Sequence, residues 1–123
     1  MANISFEELQ ARRQSRLDRV KECKVISVPG GGELMATYPG ETKCLTYYGD
    51  LSSATSAEEI VALCDRMIYD CCAMLHNEKC IEEFGGGDPS QVVPALFTIA
   101  ERDNMGLQLI DWLGLKNSDK VKN

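Results

Sequence analysis

Between Met67 and Leu115 helix punctuation is so dense that the chain has room for little except short amphipathic helices. Asn77, Asp88 and Thr98 each stand at an N-cap position, where a side-chain oxygen can accept from an unpaired N–H of the first turn. Asp88-Pro89-Ser90-Gln91 combines a cap, a proline at the first helical position and a Gln that completes a capping box, and Thr98 with Glu101 repeats the box. Gly85-Gly86-Gly87 ends the first of these helices. Gly114 stands where the last one stops, with Leu115 placed for the accompanying hydrophobic contact. The anchors between the marks come in a fixed order: Cys80, Ile81 and Phe84; then Val92, Val93, Leu96 and Phe97; then Met105, Leu109, Ile110, Trp112 and Leu113.

Upstream, Ser56 and Glu59 form another capping box. It opens a helix to about Leu75, with the stripe Ile60, Leu63/Cys64, Met67/Ile68, Cys71 and Leu75. Near the N-terminus Ser5 and Glu8 predict a box as well, with Ile4 stapled on Leu9, for a helix over 6–22. Its apolar residues Phe6, Leu9, Leu17 and Val20 are sparse, and Arg12, Arg13, Arg16 and Arg19 occupy its other face, so it buries little by itself. Lys24–Val28 and Glu33–Tyr38 flank Pro29-Gly30-Gly31-Gly32 and predict a β-hairpin that must lean on something else to be stable. Pro39–Gly49 fits a helix, with Pro39 at its first position, Cys44, Leu45 and Tyr48 as its stripe and Gly49 as its stop; a third strand over Lys43–Tyr48 is the weaker alternative. Asp50–Ser56 reads as a polar linker. The expectation is an α+β fold: a mainly α-helical single domain over 1–115, with helix and hairpin in 4–38 and a helical region in 39–115, followed by a flexible polar tail over 116–123.

Charge is distributed unevenly. The net −6 of the chain resolves into +2 over residues 1–24, −1 over 25–49, −9 over 50–111 and +2 over 116–123. An acidic body with basic ends argues against nucleic-acid binding, which needs a continuous basic surface, and favours self-association or an ionic partner. Residues 2–24 lack the apolar core of a signal peptide, and the apolar run Val92–Ala100 is too short and interrupted to cross a bilayer. A cytoplasmic protein without membrane contact is expected, and its six cysteines then read as reduced thiols.

No constellation for catalysis emerges. Cys72, His76 and Cys80 follow one another at intervals of four and, with Cys71, could line one helix face as a soft-metal site, but Asn77 breaks the helix there and no CxxC pair exists. They read as buried thiols beside a boundary histidine. His76 is the sole histidine, and no GxSxG elbow holds a nucleophile. Gly30–Gly32 lacks the lysine and hydroxyl of a phosphate loop, and Gly85–Gly87 runs into Asp88, which would repel phosphate. The chain is therefore expected to be no enzyme and to carry no cofactor or metal. Its candidate partner-binding residues are Phe84, Trp112, Leu113 and the stripe Arg12, Arg16 and Arg19.

The ordered anchors resemble those of the tail assembly chaperones of tailed bacteriophages, in the branch found in Gram-positive phages and prophages (XkdN-like). The resemblance rests on Met67-Ile68-Tyr69-Asp70-Cys71-Cys72-Ala73-Met74-Leu75, on Asn77 to Gly85, on Asp88-Pro89-Ser90-Gln91-Val92-Val93, and on Ala100 to Gly114. It departs at Ala73 and Ala100, where the family pattern has Pro and Gly, and at Arg102, where it has an apolar residue. The resemblance implies a non-enzymatic assembly factor of the host cytoplasm, absent from the mature virion, that binds the tape measure protein and helps recruit tail-tube subunits. The alternatives are a small cytosolic thiol or metal-binding protein using Cys71, Cys72, His76 and Cys80, or a generic protein-interaction module.

Overall fold

Five of the expected caps are in place. The computed structural model describes residues 3–116; all but Lys116 of the expected tail lies outside the described residues. Ser5 Oγ accepts from Glu8 N at 3.1 Å and Glu8 returns the bond to Ser5 N, opening helix α1 (Phe6–Arg19). Ser56 caps α3 (Ala57–Cys71), although the carboxylate of Glu59 reaches Thr55 N rather than Ser56 N. Asn77 caps α4 (Glu78–Gly85), which Gly86 ends in the left-handed conformation. Asp88 caps a 3-10 turn at Pro89–Gln91 that runs into the short α5 (Val92–Leu96). Gln91 does not complete a box there, because its backbone is already used in the 3-10 turn. Thr98 and Glu101 form the full reciprocal box of α6 (Ile99–Leu113), and Gly114, left-handed at φ 69°, ends it. Leu115 then donates its N–H to Ile110 and buries its side chain.

Between α1 and α3 lie the hairpin and one more helix. Strands β1 (Cys23–Ser27) and β2 (Glu33–Thr37) pair antiparallel, with Val25 opposite Met35 and Ile26 opposite Leu34. Ile26 and Ala36 point into the core, while Val25 and Met35 stay exposed. The side-chain amide of Gln108 donates to Ser27 O and accepts from Ser27 N, so it imitates a neighbouring strand along the free edge of β1. That clamp and the buried pair of residues supply the support a lone hairpin lacks.

Helix α2 (Glu41–Ser53) corrects the expected start, stop, stripe and linker. Pro39 precedes the cap residue Gly40 instead of starting the helix, and Gly49 does not stop it. One exposed mid-helix glycine costs about 1 kcal/mol, and the helix recovers more than that by packing Tyr47 and Leu51 against the core. The inward stripe is therefore Cys44, Tyr47 and Leu51, and it turns Leu45 and Tyr48 outward. The expected linker begins as the last turn of this helix.

Further along, α3 ends earlier than expected. It stops at Cys71, and Ala73–His76 form a separate 3-10 turn that buries Leu75. The core is one cluster built on the seam between α3 and α6, where Leu63, Cys64, Met67, Ile68 and Cys71 meet Met105, Leu109 and Ile110. Gly106 makes this close approach possible: a Cβ there would lie 2.2 Å from Cys64 Sγ and 2.6 Å from Cys64 Cβ. The mostly helical single domain with an N-terminal hairpin is as expected.

Candidate partner-binding cleft

Three of the six proposed partner-binding residues come together. Arg16 and Arg19 from the last turns of α1, and Leu113 from the end of α6, line an open cleft of about 360 Å³. Helix α2 supplies the opposite wall with Cys44, Leu45 and Tyr48. The sequence places these residues for local reasons. Arg16 reaches Glu41 at the first turn of α2 with a 2.9 Å ion pair, and the neighbouring carboxylate raises the guanidinium pKa. The Arg19 guanidinium donates to the carbonyl of Trp112, where the last carbonyls of α6 concentrate partial negative charge. These two arginines join α1 to the rest of the molecule.

The chemistry of the cleft is apolar with charged posts. Leu45 is 67% exposed and Tyr48 42%, so neither serves the interior. Burial pushes the Tyr38 hydroxyl and the Cys44 thiol pKa up, so both are neutral donors at physiological pH. Among the described residues nothing in the cleft pairs a nucleophile with a base: the titratable groups there are two bonded arginines, one carboxylate engaged by Arg16, two tyrosines and a thiol. What such a surface can do is seat an apolar anchor of a partner beside guanidinium donors.

The other candidates lie elsewhere. The Trp112 side chain packs half-buried against the core, and only its carbonyl takes part, through Arg19. Phe84 is 41% exposed on α4, away from the cleft, and Arg12 projects from α1 without an ion pair among the described residues. Leu45 and Tyr48 were missed as cleft residues because their outward direction follows from Tyr47, which helical spacing alone did not single out as the core residue of α2.

The thiol cluster is taken apart by the fold. Cys71 and Cys72 are fully buried, and burial pushes their pKa to about 12 and about 11. His76 is exposed, its Nε2 2.6 Å from the Tyr69 carbonyl and its ring 4.5 Å from that of Tyr69. The thiol of Cys80 donates to the Met74 carbonyl. Among the described residues no three His, Cys, Asp or Glu side chains converge as metal ligands, and no helix is long and apolar enough to cross a membrane.

Comparison with known proteins adds no relative: no family model, no curated protein and no solved structure matches the chain.

Proposed function

We propose that this chain is a phage tail assembly chaperone, a non-enzymatic factor that binds the tape measure protein and helps recruit tail-tube subunits in the host cytoplasm without entering the mature virion. The observation that carries the reading is the order of apolar anchors and caps in Met67–Leu115, the stretch that resembles that family. The cleft between α1, α2 and α6 supports it as a place to engage a long helical partner. Leu45, Tyr48 and Leu113 offer an apolar seat, and Arg16 and Arg19 offer donors beside it. A helix laid in such a groove presents anchors at intervals of three and four residues. Each contact is modest, and repetition of the chaperone along one partner multiplies it.

Co-expression with the tape measure protein of the same phage tests the proposal. The tape measure protein should move into the soluble fraction and co-purify with the chain. Leu45→Asp, on the exposed wall of the cleft, should abolish co-purification while the chaperone itself stays folded. A tape measure protein that is equally insoluble with and without the chain overturns the reading.

A further inference from the structure

Helix α1 keeps its charges apart. At about 100° per residue, Phe6, Leu9, Leu17 and the C-cap Val20 fall within one arc of about 80°. Arg12, Arg13, Arg16 and Arg19 lie inside that arc or along one flank of it, so apolar residues and guanidiniums together occupy about 160°. The far side holds all three carboxylates of the helix, Glu7, Glu8 and Asp18, among Gln, Ser and Ala. The fold does not require this arrangement: no residue of α1 is buried, and Phe6 is 70% exposed, Val20 58% and Leu9 51%. A scattered exposed leucine needs no explanation; a stripe on a helix that buries nothing calls for one.

The arc runs into the cleft. Arg16, Arg19 and Val20 line the cleft from the α1 side, and the same helix face, followed back towards the N-terminus, carries Arg12, Arg13, Leu9 and Phe6. Arg16 and Arg19 each commit one N–H, to Glu41 and to the Trp112 carbonyl, out of the five that a guanidinium offers. Arg12 and Arg13 have no ion-pair or hydrogen-bond partner among the described residues. Cleft and arc together therefore set four guanidiniums against one carboxylate, Glu41, in a chain whose net charge is −6.

We infer that this composite surface receives an acidic amphipathic helix of another protein. Its apolar anchors run from the seat formed by Leu45, Tyr48 and Leu113 onto Leu9 and Phe6, and its carboxylates pair with Arg12 and Arg13. The required spacing follows from α1, where Arg12 and Arg13 stand three and four residues from Leu9, and Arg16 stands four from Val20. The partner therefore carries its carboxylates three or four residues from its anchors. With 14 residues α1 is about 21 Å long, so a segment of similar length covers it. Other takers of an arginine-bearing helix fit less well. A second copy brings a charge of −6 against −6. A bilayer or nucleic acid is a broad anionic surface, which the acidic body beside α1 repels, and it has no apolar side chain to seat in a cleft of about 360 Å³. The inference rests on the reading of the cleft as the partner site and specifies the chemistry of the partner's segment, not its name.

Fluorescence anisotropy with the full chain and three synthetic peptides tests it. Each peptide is an alanine-based helix of about 18 residues with leucines at intervals of three and four, flanked by glutamates, glutamines or lysines. The glutamate peptide should bind about tenfold more tightly than the glutamine one, the yield of two exposed ion pairs, and the lysine peptide should bind least. Raising salt from about 0.05 to about 0.5 M should remove most of that preference. Arg12→Gln/Arg13→Gln should remove it at low salt, whereas Lys79→Glu, the same change in net charge placed on α4, should keep it. Phe6→Ser/Leu9→Ser should weaken the glutamate and glutamine peptides alike. All five positions are exposed, so the variants should keep the parent thermal transition, and a circular dichroism melt verifies that. A glutamate peptide bound no more tightly than the glutamine one, or a Lys79→Glu variant that loses the preference as fully as the arginine pair, overturns the inference. So does pelleting with phosphatidylserine vesicles that depends on Arg12 and Arg13 while no peptide preference is seen. Peptide preference without any effect on the tape measure protein would refute the partner's name alone.

Discussion

Gly106→Ala is the sharpest probe of how this fold is held together. Ordinary helix propensity predicts a gain, since Ala is favoured over Gly by about 1 kcal/mol in a helix interior. The seam with α3 predicts the opposite. The new methyl would lie 2.2 Å from Cys64 Sγ, 2.6 Å from its Cβ and 3.3 Å from its Cα. Rotating the thiol away removes the first clash, but the Cβ and Cα are fixed to α3, and carbon atoms settle at about 3.5–4.0 Å. Helix α6 must therefore withdraw by about 1 Å, loosening Met67, Ile68, Met105 and Leu109, all now at 0% exposure. Overpacking of that kind costs about 3 kcal/mol at its upper range. Set against the propensity gain, the net loss is about 2 kcal/mol, or about 8 °C in Tm for a domain of this size.

Urea unfolding followed by circular dichroism, with calorimetry for Tm, measures it. Gly49→Ala in α2 is the internal control: a Cβ there meets nothing within 4 Å, so the same substitution should stabilise by up to about 1 kcal/mol. Adding Cys64→Gly to Gly106→Ala removes both the Sγ and the Cβ from the seam and should recover part of the loss beyond additivity. If Gly106→Ala is neutral or stabilising, α3 and α6 do not approach as described and the packing argument fails.

Other consequences are equally open to measurement. Tyr47 is buried and its hydroxyl donates to the Asp70 carboxylate, which Lys43 also approaches at 3.4 Å; Tyr47→Phe should cost about 1.5–2 kcal/mol in urea unfolding, and a neutral result would remove that bond from the account. Burial raises the thiol pKa of Cys64 and Cys72 to about 11 and of Cys71 to about 12. Unfolded thiols ionise near pH 8.5, so the stability tied to neutral thiols is whole below that pH and is lost as pH rises towards 11. Thermal melts from pH 8 to about 10.5 should fall more steeply for the wild type than for Cys64→Ala/Cys72→Ala; equal slopes would contradict it. Trp112→Ala should lower stability by about 2 kcal/mol, short of the about 3–5 of a fully buried aromatic; an unchanged melt would instead assign its ring to a partner.

Local chemistry was legible and tertiary choice was not. The caps at Ser5, Ser56, Asn77, Asp88 and Thr98 can be read from sequence because each closes within a few residues of itself. The register of α2 cannot, since Tyr47 and Tyr48 are interchangeable by spacing and it takes the core packing and the Asp70 carboxylate on α3 to select the first. Gly49 and Gly106 look alike in sequence, two glycines inside helical patterns, yet one faces solvent and the other sets the distance between the two main helices. The cleft was half legible. Arg16, Arg19 and Leu113 were singled out one by one, but their meeting depends on α1 being held to α2 by Glu41 and to α6 by the Trp112 carbonyl, contacts that span 25 and 93 residues.

Those two contacts also explain how a helix without a buried residue keeps its place. An isolated helix of 14 residues is marginal in water, because nucleation is costly and little propensity is left over. Here the capping box secures one end and the arginine contacts secure the other, so the helix persists without a buried face. Arg16 and Arg19 in its C-terminal turns line the cleft, while Phe6, Leu9 and Leu17 stay exposed. A helix held in form in this way offers its cleft residues without a further loss of conformational entropy on binding. The molecule thus separates a tightly packed centre, which fixes geometry, from a lightly tethered helix, which forms one wall of the cleft.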